Sequence, residues 1–147
     1  MTQELIPPEH RLARYCPPSK SEGEVPEPTC FEPRFPEGVL EDCISANWLE
    51  AFSPAEIREA LDMVRDTKSD MTLSRNGAFA ILALEAVADH VERELGMKLD
   101  ARWKPKLKDV SHAGLSGYGD ITHSEAVTLG ETIWEKLSPS DIHKVEE

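Results

Sequence analysis

His112, Asp120 and His123 fall within one short glycine-bearing stretch. Imidazole nitrogens and a carboxylate together suit a divalent metal. Their spacing fits no defined ligand motif, and helix capping and turn formation explain the same residues. A small metal-dependent enzyme, or a subunit of one, built on these three residues is therefore the alternative reading. Cys16, Cys30 and Cys43, with His10, form a second set of metal-ligating types. Structural zinc uses cysteines a few residues apart, because a short turn presents both thiolates together. These cysteines are too widely spaced for that, so free thiols are expected, with no metal and no cofactor.

Other constellations are weaker. Gly114, Gly117 and Gly119 could cradle a phosphate before a helix. The Lys-Ser/Thr of a phosphate loop is missing, and Asp120 and Glu125 would repel an anion there. This stretch, 111–121, reads as a loop. Ser111 and His112 are adjacent, but a Ser–His dyad is set by geometry in space. No nucleophile elbow is present, and no catalytic residue is assigned.

The most unusual chemistry is electrostatic. The 147-residue chain has 16 basic and 28 acidic side chains, a net charge of −12. Such a field repels nucleic acid and anionic membrane. Yet residues 97–110 hold five basic residues against two acidic ones: Lys98, Arg102, Lys104, Lys106 and Lys108 against Asp100 and Asp109. Trp103 lies among them. Arg102, Trp103, Lys104, Lys106 and Lys108 are expected to contact a protein partner, which a second copy of this chain could supply. A solvated edge whose lysines discourage aggregation is the plainer reading.

Certain elements must position these residues. Residues 74–95 predict a central helix with few polar positions, capped by Ser74 before it and Gly96 after it. Ile81, Leu84, Ala88, Val91 and Leu95 form one stripe; Phe79, Leu82, Ala86 and Val87 form another. Apolar residues on most sides predict burial by neighbouring helices. The apolar run is too short to span a bilayer. Residues 39–52 predict a short helix or helical turn, and Ser53-Pro54-Ala55-Glu56 starts a helix to about Arg65. Trp103 and its neighbours, 99–107, alternate as an edge strand would, limited by Pro105. Thr122-His123-Ser124-Glu125 opens a further helix, and Ser138-Pro139 a last turn. Mostly α architecture follows: a small helical bundle over 39–147.

Residues 1–38 hold eight of the 11 prolines. That density excludes helix and central strand, so an extended arm is expected. Tyr15, Phe31 and Phe35, with Arg34, are its expected anchors, holding it against its own domain or on a partner chain.

Arg14 with Pro17-Pro18, Gly23-x-Val25, Phe31-x-Pro33-Arg34, Ile44-Ser45-x-Asn47-Trp48-Leu49-Glu50 and Ser111-His112-Ala113-Gly114 carry a resemblance. They resemble a loose group of small uncharacterised bacterial proteins with an S-x-N-W-L-E-like turn and an S-H-A-G-like loop. The resemblance implies a bacterial or mobile-element origin and no activity.

The opening residues, MTQELIPPEH, contain no apolar signal-peptide core. With an odd number of scattered cysteines, this predicts a reducing cytoplasm. The functional expectation is an accessory, inhibitor or adaptor protein without enzymatic activity. An acidic DNA mimic is a further alternative, and the basic stretch counts against it.

Overall fold

The computed structural model describes residues 4–22, 25–52, 57–67, 77–107 and 109–145. Its frame is a seven-stranded antiparallel sheet, and this overturns the mostly α, helical-bundle expectation. The strands are β1 (Glu4–Leu5), β2 (Arg11–Cys16), β5 (Ile44–Trp48), β6 (Ala78–Ala83), β7 (Asp100–Trp103), β8 (His112–Ser116) and β9 (Ile142–Lys144). They lie in the order β1-β7-β8-β5-β2-β6-β9. A separate hairpin joins β3 (Ser21–Glu22) to β4 (Val25–Pro26). The α-helices are α1 (Ile57–Thr67), α2 (Leu84–Leu95) and α3 (His123–Trp134).

The expected central helix divides at Ala83. Its apolar half is β6 and its amphipathic half is α2. Successive strand side chains point to opposite faces, and β6 sits where both faces are covered. Ala80 and Leu82 join the main core, formed with Val87 and Val91 of α2 and Ala126, Leu129 and Ile133 of α3. Phe79 and Ile81 join a second core under Ala60, Leu61 and Val64 of α1. A strand covered on both sides has no polar face to alternate with, so it reads like a buried helix.

The missing boundary has a physical cause as well. Ala83 caps α2 without a side-chain hydrogen bond. Two of the first helical amides are satisfied from a distant part of the chain: Leu84 N–H donates to the His10 carbonyl at 3.2 Å and Glu85 N–H to the Pro8 carbonyl at 3.0 Å. A cap delivered by another segment's backbone leaves no local signature. At the other end Gly96 takes the left-handed conformation, φ 72°, and closes the helix as expected. Ser74 and Ser53–Glu56 lie outside the described residues.

The early prolines punctuate the chain without excluding it from the sheet. The six residues between Pro8-Glu9-His10 and Pro17 form β2, which pairs with β5 on one side and β6 on the other. Leu12 and Cys16 are fully buried. Phe31 lies in a 3-10 turn, Pro28–Phe31, packed against α3. Gly130 allows that approach, since a Cβ there would stand 2.9 Å from the Pro28 carbonyl oxygen. Residues 39–52, where a short helix or helical turn was expected, hold β5 followed by a 3-10 turn, Leu49–Phe52. β7 supplies the extended stretch expected near 99–107, with β1 outside it. The expected loop 111–121 begins with β8.

The capping box expected at Thr122–Glu125 forms. Glu125 N–H donates to Thr122 Oγ1 at 3.1 Å while Thr122 N–H donates to Glu125 Oε1 at 3.0 Å. Ahead of β9, Asp141 Oδ2 accepts from the Ser138 N–H at 2.9 Å and from its hydroxyl at 3.1 Å, while Asp141 N–H donates to the Ser138 carbonyl at 2.9 Å. No described helix is long and apolar enough to cross a membrane.

Candidate functional site

Segments 44–50 and 111–114 are far apart in sequence and adjacent in the sheet. β5 pairs with β8 in the register Ser45↔Gly114, Ala46↔Ala113 and Asn47↔His112. Asn47 and His112 lie on the same sheet face as Ala13, the Asn47 partner in β2. Both are buried, with relative exposures of 3% and 8%. Asn47 Nδ2 donates to Asp109 Oδ1 at 2.7 Å and to Ser111 Oγ at 2.8 Å. His112 Nδ1 lies 3.0 Å from the Lys104 carbonyl. A carbonyl only accepts, so Nδ1 carries the proton.

β2 and β5 pair at Leu12↔Trp48 and Ala13↔Asn47 and then part. Arg14 spans the fork: Nε donates to the Cys30 carbonyl at 2.9 Å and Nη1 to the Ser45 carbonyl at 2.6 Å. The fork holds a cleft of about 190 Å³, lined by Arg14, Lys20, Arg34, Ser45, Asn47 and His112 with Tyr15, Pro17 and Ala46.

Two buried thiols adjoin Arg14. A hydrogen bond between the Cys16 and Cys30 thiols pulls the pKa of Cys30 below its ordinary value; burial opposes this, and the Arg14 and Lys20 charges help it. The same bond, with burial, pushes the Cys16 thiol well above its ordinary range. None of the three cysteines forms a disulfide.

A second cavity, about 540 Å³, lies where α3 ends against the last strand. Val25, Pro26, Trp134, Leu137, Pro139 and Ile142 give it apolar walls. Trp134 Nε1 donates to the Pro26 carbonyl at 2.9 Å and ties β4 to α3. Trp134 and Glu135 also line an adjoining cavity with Glu32, Val127 and Glu131. The combined surface is an apolar groove whose charged lining, among the described residues, is Glu32, Glu131 and Glu135, with Lys144 the one cation. β9 ends the sheet beside it, so its outer backbone edge bears no strand among the described residues.

The residues expected to bind a partner divide. Phe31 is core and Tyr15 packs on Phe79, so neither is a free anchor. Phe35 stacks on His123, ring centroids 3.7 Å apart. Arg34 is exposed, 3.9 Å from Glu41, and lines the fork cleft. Arg102 pairs with Asp100 at 3.3 Å, and Trp103 Nε1 donates to the Val110 carbonyl at 2.7 Å. Lys104 Nζ lies 3.4 Å from Cys43 Sγ. Lys106 is exposed beside the fully exposed Leu107, and Lys108 lies outside the described residues.

The alternative metal set is not assembled. Among the described residues no three His, Cys, Asp or Glu side chains gather as ligands. His112 belongs to the fork, whereas His123 starts α3 against Phe35. Sequence reading passed over Asn47, Lys20 and the Val25–Trp134 groove. Ser45 and Asn47, polar residues alternating with apolar ones in the Ile44–Trp48 run, were the available signal for the first. The groove had none, because it joins residues more than one hundred positions apart. Comparison with protein families, with curated proteins and with solved structures finds no match.

Proposed function

We propose that this chain is a binding protein without enzymatic activity that holds an apolar, basic segment of a partner polypeptide. The observation that carries this reading is the groove between α3 and β9. Its apolar walls offer anchor sites for large side chains. Glu131, Glu135 and Glu32 beside it favour Lys or Arg in the occupant, as does the net charge of −12. β9 is the last strand of the sheet among the described residues, so an occupant could add a strand there with alternate side chains beside Ile142. Three free, buried thiols fit a reducing compartment such as the cytoplasm.

Random peptides selected on the wild-type protein test this reading. The selected sequences should converge on apolar residues at alternate positions with Lys or Arg between them. Trp134→Ala should weaken such a peptide roughly 30-fold, as loss of a hot-spot aromatic does. Trp134 also ties β4 to α3, so the exposed Val25→Lys serves as a second variant that leaves the core alone. Peptides that fail to converge, or that bind both variants as tightly as wild type, would refute the proposal.

A further inference from the structure

We infer that the cleft at the β2–β5 fork binds a phosphoryl-type oxyanion, either free phosphate or the terminal phosphate of a small molecule. The lining supplies three cationic side chains, Arg14, Lys20 and Arg34, and three further polar ones, Ser45, Asn47 and His112. Among the described residues, no carboxylate lines it. In a chain where acidic residues outnumber basic ones 28 to 16, a pocket of this composition runs against the rest of the molecule.

Arg14 is built into this site. Its two hydrogen bonds, to Cys30 and Ser45, come from different segments and fix the guanidinium plane. A guanidinium has five N–H donors. The Arg14 Nη2 group has no protein partner among the described residues, and no buried side-chain nitrogen or oxygen there lacks one. Nη2 therefore meets solvent, and it belongs to a residue that walls the cleft. A rigid fork of donors with a free end is how arginine recognises an oxyanion. Lys20, from the 3-10 turn after β2, adds a charge that no described carboxylate neutralises. Arg34 adds a third, held only loosely by Glu41 at 3.9 Å. Asn47 is kept in place from below by Asp109 and Ser111.

Size and charge select the ligand class. A cavity of about 190 Å³ suits one compact polar group better than a drug-sized molecule. Three cations suit the nearly two negative charges of a phosphate monoester better than the single charge of a carboxylate. A nucleic-acid strand would bring further phosphates against a protein of net charge −12.

The test is titration of the full chain with inorganic phosphate at constant ionic strength, read by thermal unfolding and by amide NMR shifts. A saturable rise in Tm is expected, with shifts concentrated at Ser45, Asn47 and His112. Lys20→Gln with Arg34→Gln should weaken binding by at least ~10-fold and leave the phosphate-free Tm near that of wild type. Arg14→Gln should abolish binding, and the double variant keeps the test decisive should Arg14→Gln not fold. O-phosphoserine binding tighter than phosphate would identify a terminal phosphoryl group as the natural ligand; weaker binding would identify the free ion. The inference fails if acetate or chloride gives the same response, or if the double variant binds phosphate as wild type does.

Discussion

The two halves of the sheet differ in what their second face carries. Under β2, β6 and β9, that face is apolar: Ala13, Phe79, Ile81 and Val145 pack beneath α1. Under β5 and β8 it is polar: Ser45 and Asn47 oppose Gly114 and His112. The same strand, β2, borders both, since Ala13 pairs with Ile81 on one side and Asn47 on the other. One half therefore draws its stability from burial on both faces. The other uses its second face for a hydrogen-bonded network beside a cationic cleft. The division teaches that the main core, shared by both halves, bears the fold, while the polar half-face is available for recognition.

Removing the largest side chain from the apolar half should produce the largest effect. Phe79 is almost fully buried between Tyr15 and the α1 core. Phe79→Ala should destabilise the protein by about 3–5 kcal/mol, the range for a buried aromatic truncated to alanine. Chemical denaturation measures it. A loss below about 1 kcal/mol would mean that the second core contributes little and that the two halves do not differ as described.

Asn47→Ala sharpens the comparison from the polar side. It removes two hydrogen bonds and leaves Asp109 and Ser111 to find other partners. Loss of a buried polar partner costs about 1–3 kcal/mol, so this variant should fall below Phe79→Ala in effect. Its amide shifts should be confined to β5, β8 and the fork. A larger loss than that of Phe79→Ala would reverse the assignment of the two halves.

How much of this was legible in the sequence follows from where each signal resides. Local signals were readable: the Thr122–Glu125 box, Gly96 at the end of α2, and the Ala60-Leu61-Val64 face of α1 all lie within a few residues of what they determine. Non-local ones were not. β6 took the look of a helix because α1 and the α2–α3 layer bury its two faces, and its junction with α2 is capped by the distant Pro8–His10 backbone. β2 was hidden between prolines that bound it without entering it. The basic stretch was legible as charge, but its pairing with Asp100, Val110 and Cys43 required the β7–β8 geometry. Arg14 and Asn47 are separated by thirty-three positions, and only the β2–β5 register brings them to one cleft.

The smallest effect is expected at Tyr118, where the main core meets the segment leading into β5. Tyr118 is buried, and its hydroxyl donates to the Glu41 carbonyl. Tyr118→Phe keeps the ring and removes that bond, which should cost about 0.5–1.5 kcal/mol near neutral pH. Burial raises the phenol above its ordinary value of 10.0, and the charges of Glu41, Cys43 and Asp42 add to the rise. A raised pKa means that the folded state keeps its proton after the unfolded chain has lost it. The contribution of Tyr118 is therefore complete below pH 10.0 and declines as the pH rises above it. The wild-type advantage over Tyr118→Phe should shrink along the alkaline limb, and comparing the two proteins cancels the titration of every other group. Denaturation curves collected from neutral pH to above pH 10 read this directly. A difference that stays constant through that range would show that the Tyr118 phenol ionises equally easily in both states, and that this part of the core is wet.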